Sequence, residues 1–524
     1  MNVKVHFLNY LLPLILLNLW FSSTYYGQHN TLFIHQFFKD NLYNPQIVNS
    51  FQGTSLLPYT ESEVDLNKAI RDSSKQYYTF TDILLKKHLF ELKGEDFSMN
   101  ISPIADLSLG RDLSDTSGRK LFQNTRGIYI EGDLLKKFSF STSIHENQGR
   151  YAAYQNAFYL SAGELYTQQS SGSYSQQNAV IPGAARTKPF KTDGFDYAYA
   201  TGNIIYRPNK ALQFMAGNTP HFVGDGYRSL LLSDNSVPAP FIRAVFKVTN
   251  KIEVNYIRMR LFNLIRRPVS SSVESYYESK AYSVNYITYK PVKGLALSLF
   301  EGVIWSRGDS IVSHRVHPLF YSPVPGSALP LLSKNELNYL LGINAGYTFL
   351  EKYHAYGQLA CSNGNFSNPA FQLGIRAYGI AGQRDLMIQT EFNHVPTGTY
   401  TNGNPRLSYS HYNLPLATVQ GEGYNEFILR STYEWKRLYF SEKLVVYSLK
   451  GFDVANWLPV HSSEEHINGK INLNELELGY RFNRKMNLCF FGSWIYRKDN
   501  LSNNPTSLFH VGIRTGTLNH YNDF

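Results

Sequence analysis

The chain has 524 residues, of which 43% are apolar, 17% charged and 15% aromatic, with a net charge of +10 and a mean hydropathy of −0.30. Charge is scarce beside the roughly 25% of ordinary soluble domains, and 39 Tyr and 34 Phe fill the gap. No stretch after the N-terminal leader approaches the ~18 uninterrupted apolar residues of a spanning helix, which excludes a helical membrane bundle; the frequent apolar residues exclude a disordered chain. Cys361 and Cys489 are the two cysteines, too few for a disulfide framework or a cysteine metal site, although a single disulfide stays open.

In chain order, Lys4, the apolar run Leu11 to Leu19 and the small polar Ser22, Ser23 and Thr24 have the layout of a secretory signal over 1–27, with cleavage expected before Gln28. Residues 28–97 form an expected N-terminal segment on the periplasmic side. Within it Val64, Ala69, Ile70, Ile83, Leu84, His88 and Leu92 recur near helical spacing, so it should be partly helical.

From residue 98 the apolar period becomes two. Phe138, Phe140, Thr142 and Ile144 alternate with Ser139, Ser141 and Ser143, and Leu295, Leu297 and Leu299 alternate with small or polar partners. Eighteen such segments are expected, at 98–109, 125–133, 136–145, 195–206, 210–217, 240–248, 251–262, 280–290, 295–305, 337–349, 353–361, 371–380, 385–394, 424–435, 437–449, 471–482, 485–496 and 507–518. Most have the length of a tilted membrane strand. Short connections, such as Leu134–Leu135 and Leu350–Lys352, alternate with long ones at 146–194, 218–239, 306–336, 395–423 and 450–470. A soluble propeller or tandem sandwich shares the period but has no reason for that alternation.

The fold class read from this pattern is all-β: a transmembrane antiparallel β-barrel of about 18 strands over 98–524, preceded by a small periplasmic helical segment. The final Phe524 fits the terminal aromatic of outer-membrane barrels, although Asn522 and His520 stand where apolar residues would be expected.

The densest local pattern is GNTPHFVGDGYRSLLLSDNSVP at 217–238. Gly224 and Gly226 flank Asp225 and allow a tight turn or a close backbone approach. No strand–helix unit follows for a dinucleotide, and Asp225, Asp234 and Asn235 lack calcium-loop spacing. The stretch resembles the signature region of the Wzi-type capsule-assembly family of outer-membrane barrels, and within it the gliding-motility RemB-like branch of Bacteroidetes-type bacteria. The residues that carry the likeness are Gly217, Asn218, His221, Phe222, Gly224, Gly226, Ser229, Leu230, Leu231, Leu232, Ser233, Asn235 and Pro238; Thr219 departs from the usual acidic residue. HPLFYSPVPGS at 317–327 is a second match. The third is QTEFNHVPTGTY at 389–400 with YSHYNLPLATVQGEGYNEF at 409–427.

The resemblance implies an eighteen-stranded outer-membrane lectin that holds surface polysaccharide on the cell, and in the gliding branch a role in surface motility. It assigns no ligand residues. From side-chain chemistry, aromatics and polar groups in long loops are the candidates for sugar contact: Tyr227, Arg228, Tyr400, Tyr409, His411, Tyr412 and Asn413. Packing within loops is the competing reading of each.

Arg266, Arg267, Arg307, Arg315 and Lys334 in loops favour an acidic polysaccharide or lipopolysaccharide phosphates as partners. Outer-membrane lipid is expected around the wall, and no nucleic acid. His314 with His317, and His461 with His466 around Glu464 and Glu465, lack a third convergent ligand, so no metal or cofactor is expected. No nucleophile elbow occurs, which argues against an enzyme. A porin or substrate-specific transporter is the alternative function, and lumen occlusion separates the two.

Overall fold

The computed structural model describes residues 30–45, 54–60, 63, 88–135, 137–167, 174–176, 178–266, 276–308, 312–334, 336–452, 467–500 and 505–524. Eighteen antiparallel strands close into one barrel. They are β1 (Phe97–Asp112), β2 (Lys120–Leu134), β3 (Phe138–Arg150), β4 (Gly194–Tyr206), β5 (Leu212–Gly217) and β6 (Phe241–Lys247). There follow β7 (Ile252–Arg266), β8 (Tyr277–Tyr289), β9 (Leu295–Trp305), β10 (Leu337–Phe349), β11 (Tyr353–Ser362) and β12 (Asn365–Tyr378). The last six are β13 (Leu386–Val395), β14 (Tyr424–Trp435), β15 (Leu438–Phe452), β16 (Ile467–Asn483), β17 (Leu488–Asp499) and β18 (Thr506–Thr515). Each pairs with its sequence neighbour, and β18 closes onto β1 in the register Leu508↔Asp112 to Arg514↔Asp106.

All eighteen expected strands are present, and alternation explains why the pattern was legible. On β3 the serines 139, 141 and 143 face inward and are buried, whereas Phe138 and Ile144 face outward and are exposed. The polarity is inside-out relative to a soluble domain, as lipid requires of a barrel. Exposed Phe97, Tyr289, Tyr347, Trp435, Phe440 and Tyr480 lie near the short-turn end, where an aromatic girdle belongs. The connections depart from alternation at one place. Asn363 and Gly364 take positive φ (47° and 77°) and join β11 to β12 by a two-residue hairpin at the long-loop end. This favoured turn lets β12 begin at Asn365, six residues before the expected 371.

Both termini correct the sequence expectation. The signal 1–27 lies outside the described residues. Of the 28–97 segment read as periplasmic, the parts 30–45 and 54–60 sit inside the barrel. Its short helix α1 (Gln36–Leu42) precedes the helical pattern, most of which falls outside the described residues. Thr31 bridges to Thr60, and Leu56–Leu57 pairs with Phe222–Val223. Leu92, counted toward a helix, belongs instead to a short strand, Phe90–Lys93, that pairs with the start of β1.

The terminal strand ends at Thr515, and 516–524 turns back into the lumen. There Phe524 stacks on Phe158 of α2 (Ala153–Ser161), with ring centroids 3.8 Å apart. Phe524 is therefore a plug residue, not the end of a lipid-facing strand.

If the outer wall meets lipid, Leu373→Arg on the exposed face of β12 should cost about 2–4 kcal/mol, the penalty for a charge near the bilayer midplane. Urea titration of the barrel folded in liposomes measures it. An unchanged midpoint would mean that this face does not contact lipid.

Candidate functional site

The lumen is filled from both ends, and the signature loop 217–238 lies at its centre. It enters from the long-loop end and meets the N-terminal segment near Gly224. There φ is +120°, and a Cβ would come within 2.2 Å of Gln358 Nε2. A Cβ on Gly226 would lie 2.6 Å from both Gln372 Oε1 and Glu391 Oε2. The glycines thus permit the close approach of loop backbone to the barrel wall that their spacing suggested.

The wall answers with side chains aimed at loop backbone. Glu391 on β13 accepts Tyr227 N at 2.6 Å and Arg228 N at 3.0 Å. Gln358 on β11 accepts Leu230 N at 2.7 Å and donates to Val223 O at 3.0 Å. Ser229 Oγ donates to Val223 O at 2.5 Å and accepts from Leu231 N and Leu232 N. Asn218 holds Gly202 N and Ala200 O on β4, and a Cβ on Gly217 would lie 2.1 Å from Gly202 O. Asn235 Nδ2 donates to Pro415 O at 2.7 Å. His221 packs edge-on against Phe241, and Phe222 lies 3.4 Å beneath Lys39 Nζ. The signature residues therefore stitch a plug.

Two charged knots hold the assembly. In the first, Asp225 accepts from Tyr43 Oη at 2.5 Å and pairs with His354 Nε2 at 3.1 Å. Burial pushes the Asp225 carboxyl up, but the hydrogen bonds from His354, Ser55 and Tyr43 outweigh it and bring the pKa to about 2. His354 Nδ1 is 2.9 Å from Thr348 Oγ1. This repeats the order of a hydroxyl–imidazole–carboxylate triad, yet its carboxylate is spent on anchoring Tyr43 of the plug.

In the second knot, Arg228 bonds Glu426 (3.1 Å), Tyr447 (2.7 Å) and the backbone oxygen of Asp523 (3.1 Å), and pairs with the Asp523 carboxylate. Tyr227 Oη and Lys443 Nζ also reach that carboxylate, at 2.7 and 3.1 Å. Burial raises the Asp523 pKa, but Arg228 and Lys443 together hold it well below the usual carboxylate range. The C-terminal tail, the signature loop and β14–β15 meet at this point.

The candidate sugar contacts take the following positions. Tyr227 and Arg228 belong to the second knot. Tyr400 and Tyr409 donate to Leu230 O and Leu231 O at 2.7 and 2.6 Å. His411 is buried, accepts Phe262 N at 2.9 Å, and is pushed down to about 3 by burial, so its ring is neutral. Asn413 donates to Gly163 O at 3.2 Å. Loop membership suggested exposure for all seven, but six are buried inside the plug.

Tyr412 alone is half-buried, at the long-loop mouth, where its ring meets Tyr277 edge-on at 6.0 Å. Arg186 and Arg266 stand over Tyr277 at 5.8 and 5.1 Å and share the buried carboxylate of Glu164. Two rings and two partly exposed guanidiniums on one rim can stack a pyranose and hydrogen-bond hydroxyl or carboxylate groups. Arg266 carried a sequence signal as a basic loop residue. Glu164, Arg186 and Tyr277 carried none, because only the closed barrel brings them together.

Of the two histidine pairs, His314 and His317 fall among the described residues. His317 caps a 3-10 turn and stacks on Trp305; 461–466 lies outside the described residues. Among the described residues no group of three or more metal-ligating side chains converges.

No family model matches the sequence, and no curated protein matches it. The fold does have solved counterparts. One is Wzi of Escherichia coli, described as an outer-membrane protein involved in group 1 capsule assembly and a carbohydrate-binding β-barrel. It is 12% identical with a TM-score of 0.56, over 93% of this chain and 99% of that one. Others, at TM-scores of 0.40 and 0.41, are OccK3 of Pseudomonas aeruginosa (11% identity, 79% and 94% coverage) and a BenF-like porin of Pseudomonas fluorescens Pf-5 (11%, 80% and 98%). At these identities the likeness concerns the fold.

The knots make two predictions. Arg228→Ala leaves Glu426 buried without its cation and Asp523 with Lys443 alone, and should cost about 3–5 kcal/mol, read by denaturant unfolding in detergent micelles. The Asp225 pKa is depressed on folding, so its contribution is full above the unfolded value of about 4 and is lost as pH falls toward 2. Hydrogen-exchange protection of residues 222–232 should therefore exceed that of Asp225→Asn at pH 6, and the difference should vanish near pH 2. A constant difference would remove Asp225 as the titrating anchor.

Proposed function

We propose that this chain is a non-enzymatic outer-membrane barrel that binds or organises cell-surface polysaccharide at its long-loop mouth, and is not a diffusion channel. The observation that carries the proposal is the filled lumen. Eighteen strands enclose a space wide enough for an aqueous pore. Here that space holds 30–45, 54–60, the signature loop, 396–423 and the C-terminal tail, bonded to the wall. Among the described residues, cavities along the N-terminal segment measure about 190, 30 and 10 Å³. A solute path would require the plug to leave, and the two buried charge knots oppose that.

The likeness in fold to a carbohydrate-binding barrel supports a saccharide ligand, and Arg186 and Arg266 at the rim favour an acidic one. In the proposal the short-turn end faces the periplasm and the mouth faces the exterior. The resemblance of 217–238 to the gliding branch extends it to surface motility. Attachment to one long polymer is multivalent, so weak contacts at each barrel suffice to retain it.

Purified protein in planar bilayers should show no sustained porin-type conductance and should bind acidic polysaccharide. Tyr412→Ala should weaken that binding by about 1 kcal/mol, and the effect of Arg186→Ala should shrink with added salt. In cells, deletion should leave total polymer unchanged and move it from the cell-bound fraction to the medium. Steady conductance, with slowed uptake of one solute and unchanged polymer partition, would replace the lectin with a channel.

A further inference from the structure

The segment HPLFYSPVPGS had no role in the plug, and its position is unusual. Alternation along β7 puts Ile257 and Leu261 in the lumenal core and Tyr256 and Arg258 on the outer wall. Asn285 on β8 and Glu301 on β9 share that face. Arg258 lies six residues from the short-turn end of β7, which on a tilted strand is about 15 Å up an apolar band of about 25 Å. A charged, hydrogen-bonding cluster therefore stands on the lipid side of the barrel.

The connection from β9 to β10 folds down over it. Arg258 donates to Phe320 O at 2.5 Å and Ser322 O at 2.6 Å, and Tyr256 Oη donates to Tyr321 O at 3.2 Å. Glu301 accepts Gly326 N at 2.7 Å and Asn285 Nδ2 at 2.7 Å. Phe320 and Ala328 pack onto Ala281, Val303, Trp305 and Tyr339 beneath.

The covering segment has the chemistry of something immersed in hydrocarbon. From Pro318 to Leu332 no residue is charged, although Arg315 and Lys334 flank it in sequence. Irregular backbone is tolerated at membrane depth only if its polar groups are satisfied within the protein. Four prolines, 318, 323, 325 and 330, bring no N–H. Tight turns satisfy Phe320, Ser322, Ser327, Leu329 and Leu331 N–H groups, and the wall cluster takes three carbonyls and Gly326. The face turned away from the barrel presents Tyr321 (64% exposed), Val324 (62%) and Leu329 (45%). It continues the apolar belt formed below it by Leu297, Leu299 and Ile343.

We propose that residues 318–332 form a lipid-embedded flap whose outer face contacts acyl chains of the bilayer, with Arg258, Tyr256, Asn285 and Glu301 as its backbone clamp. The proposal commits to lipid as the occupant because the patch is uncharged, lies at belt depth and is continuous with the belt.

Nitroxide labels on Val324→Cys and, separately, Leu329→Cys in liposomes test it. The native cysteines are buried, and labelling of the parent protein sets the background. References are Leu299→Cys in the belt and Tyr276→Cys at the mouth, the latter 86% exposed. Both flap labels should collide with dissolved oxygen several-fold more than with a water-soluble nickel chelate, as at Leu299. Nickel access equal to that at Tyr276 would make the segment an aqueous loop. Exclusion of both reagents with spin–spin broadening would assign the face to a second copy. Either result overturns the proposal. Heat-modifiable gel mobility certifies folding, and if one variant fails, the other position carries the same test.

Discussion

A sheet in lipid must close, and closing it at eighteen strands creates an interior wider than its own side chains can fill. The rest of this structure follows from that excess of space. The inner wall is polar because the outer wall must be apolar. Filling the lumen therefore meant matching the polar groups of that wall around the apolar cluster that Leu230, Leu231, Ile257 and Val284 share. The plug does this chiefly by pairing its backbone with wall side chains: Glu391 against two successive amides, and Gln358 against an amide and a carbonyl. Buried polar groups are costly when unpaired, so each such bond fixes the position of the loop as well as its stability.

The same rule explains the outside of the barrel. A loop laid against lipid faces the condition that the strands solve by pairing. The wall solves it for this loop with Arg258, Tyr256, Asn285 and Glu301, residues that would otherwise be misplaced on a lipid-facing surface. Prolines lower the demand by removing donors. Inner plug and outer flap are thus two instances of one arrangement: irregular backbone satisfied by side chains projecting from a regular sheet.

What was legible in the sequence follows from where period-two alternation applies. It carries no information about segments that do not cross the membrane, which is why all eighteen strands were found and the termini were misplaced. Phe524 had the chemistry of a strand end, but the strand had stopped at Thr515; the partners of Asp523, on β15 and the signature loop, and the stack of Phe524 on Phe158 reveal a tail in the lumen. The aromatic loop residues failed as surface candidates for a related reason. In a soluble domain long loops lie on the surface, whereas a wide barrel offers loops an interior. Tyr400 and Tyr409 occupy it, each hydroxyl on a carbonyl of the Leu230–Leu231 run. The glycine spacing of 217–238 did survive, because close backbone approach is a local demand that leaves a local mark.

This separation of labour bears on function. Residues that make the signature recognisable are those that seal the barrel, and their demands are geometric, with little tolerance for change at Gly224 or Gly226. The ligand contacts proposed above fall instead to the rim, where one buried carboxylate, Glu164, pairs with both Arg186 and Arg266 beside Tyr277 and Tyr412. Burial pushes that carboxyl up, while its bonds to Arg266 and Asn178 pull it below its ordinary value. It therefore stays ionised and keeps both guanidiniums oriented while leaving them partly exposed.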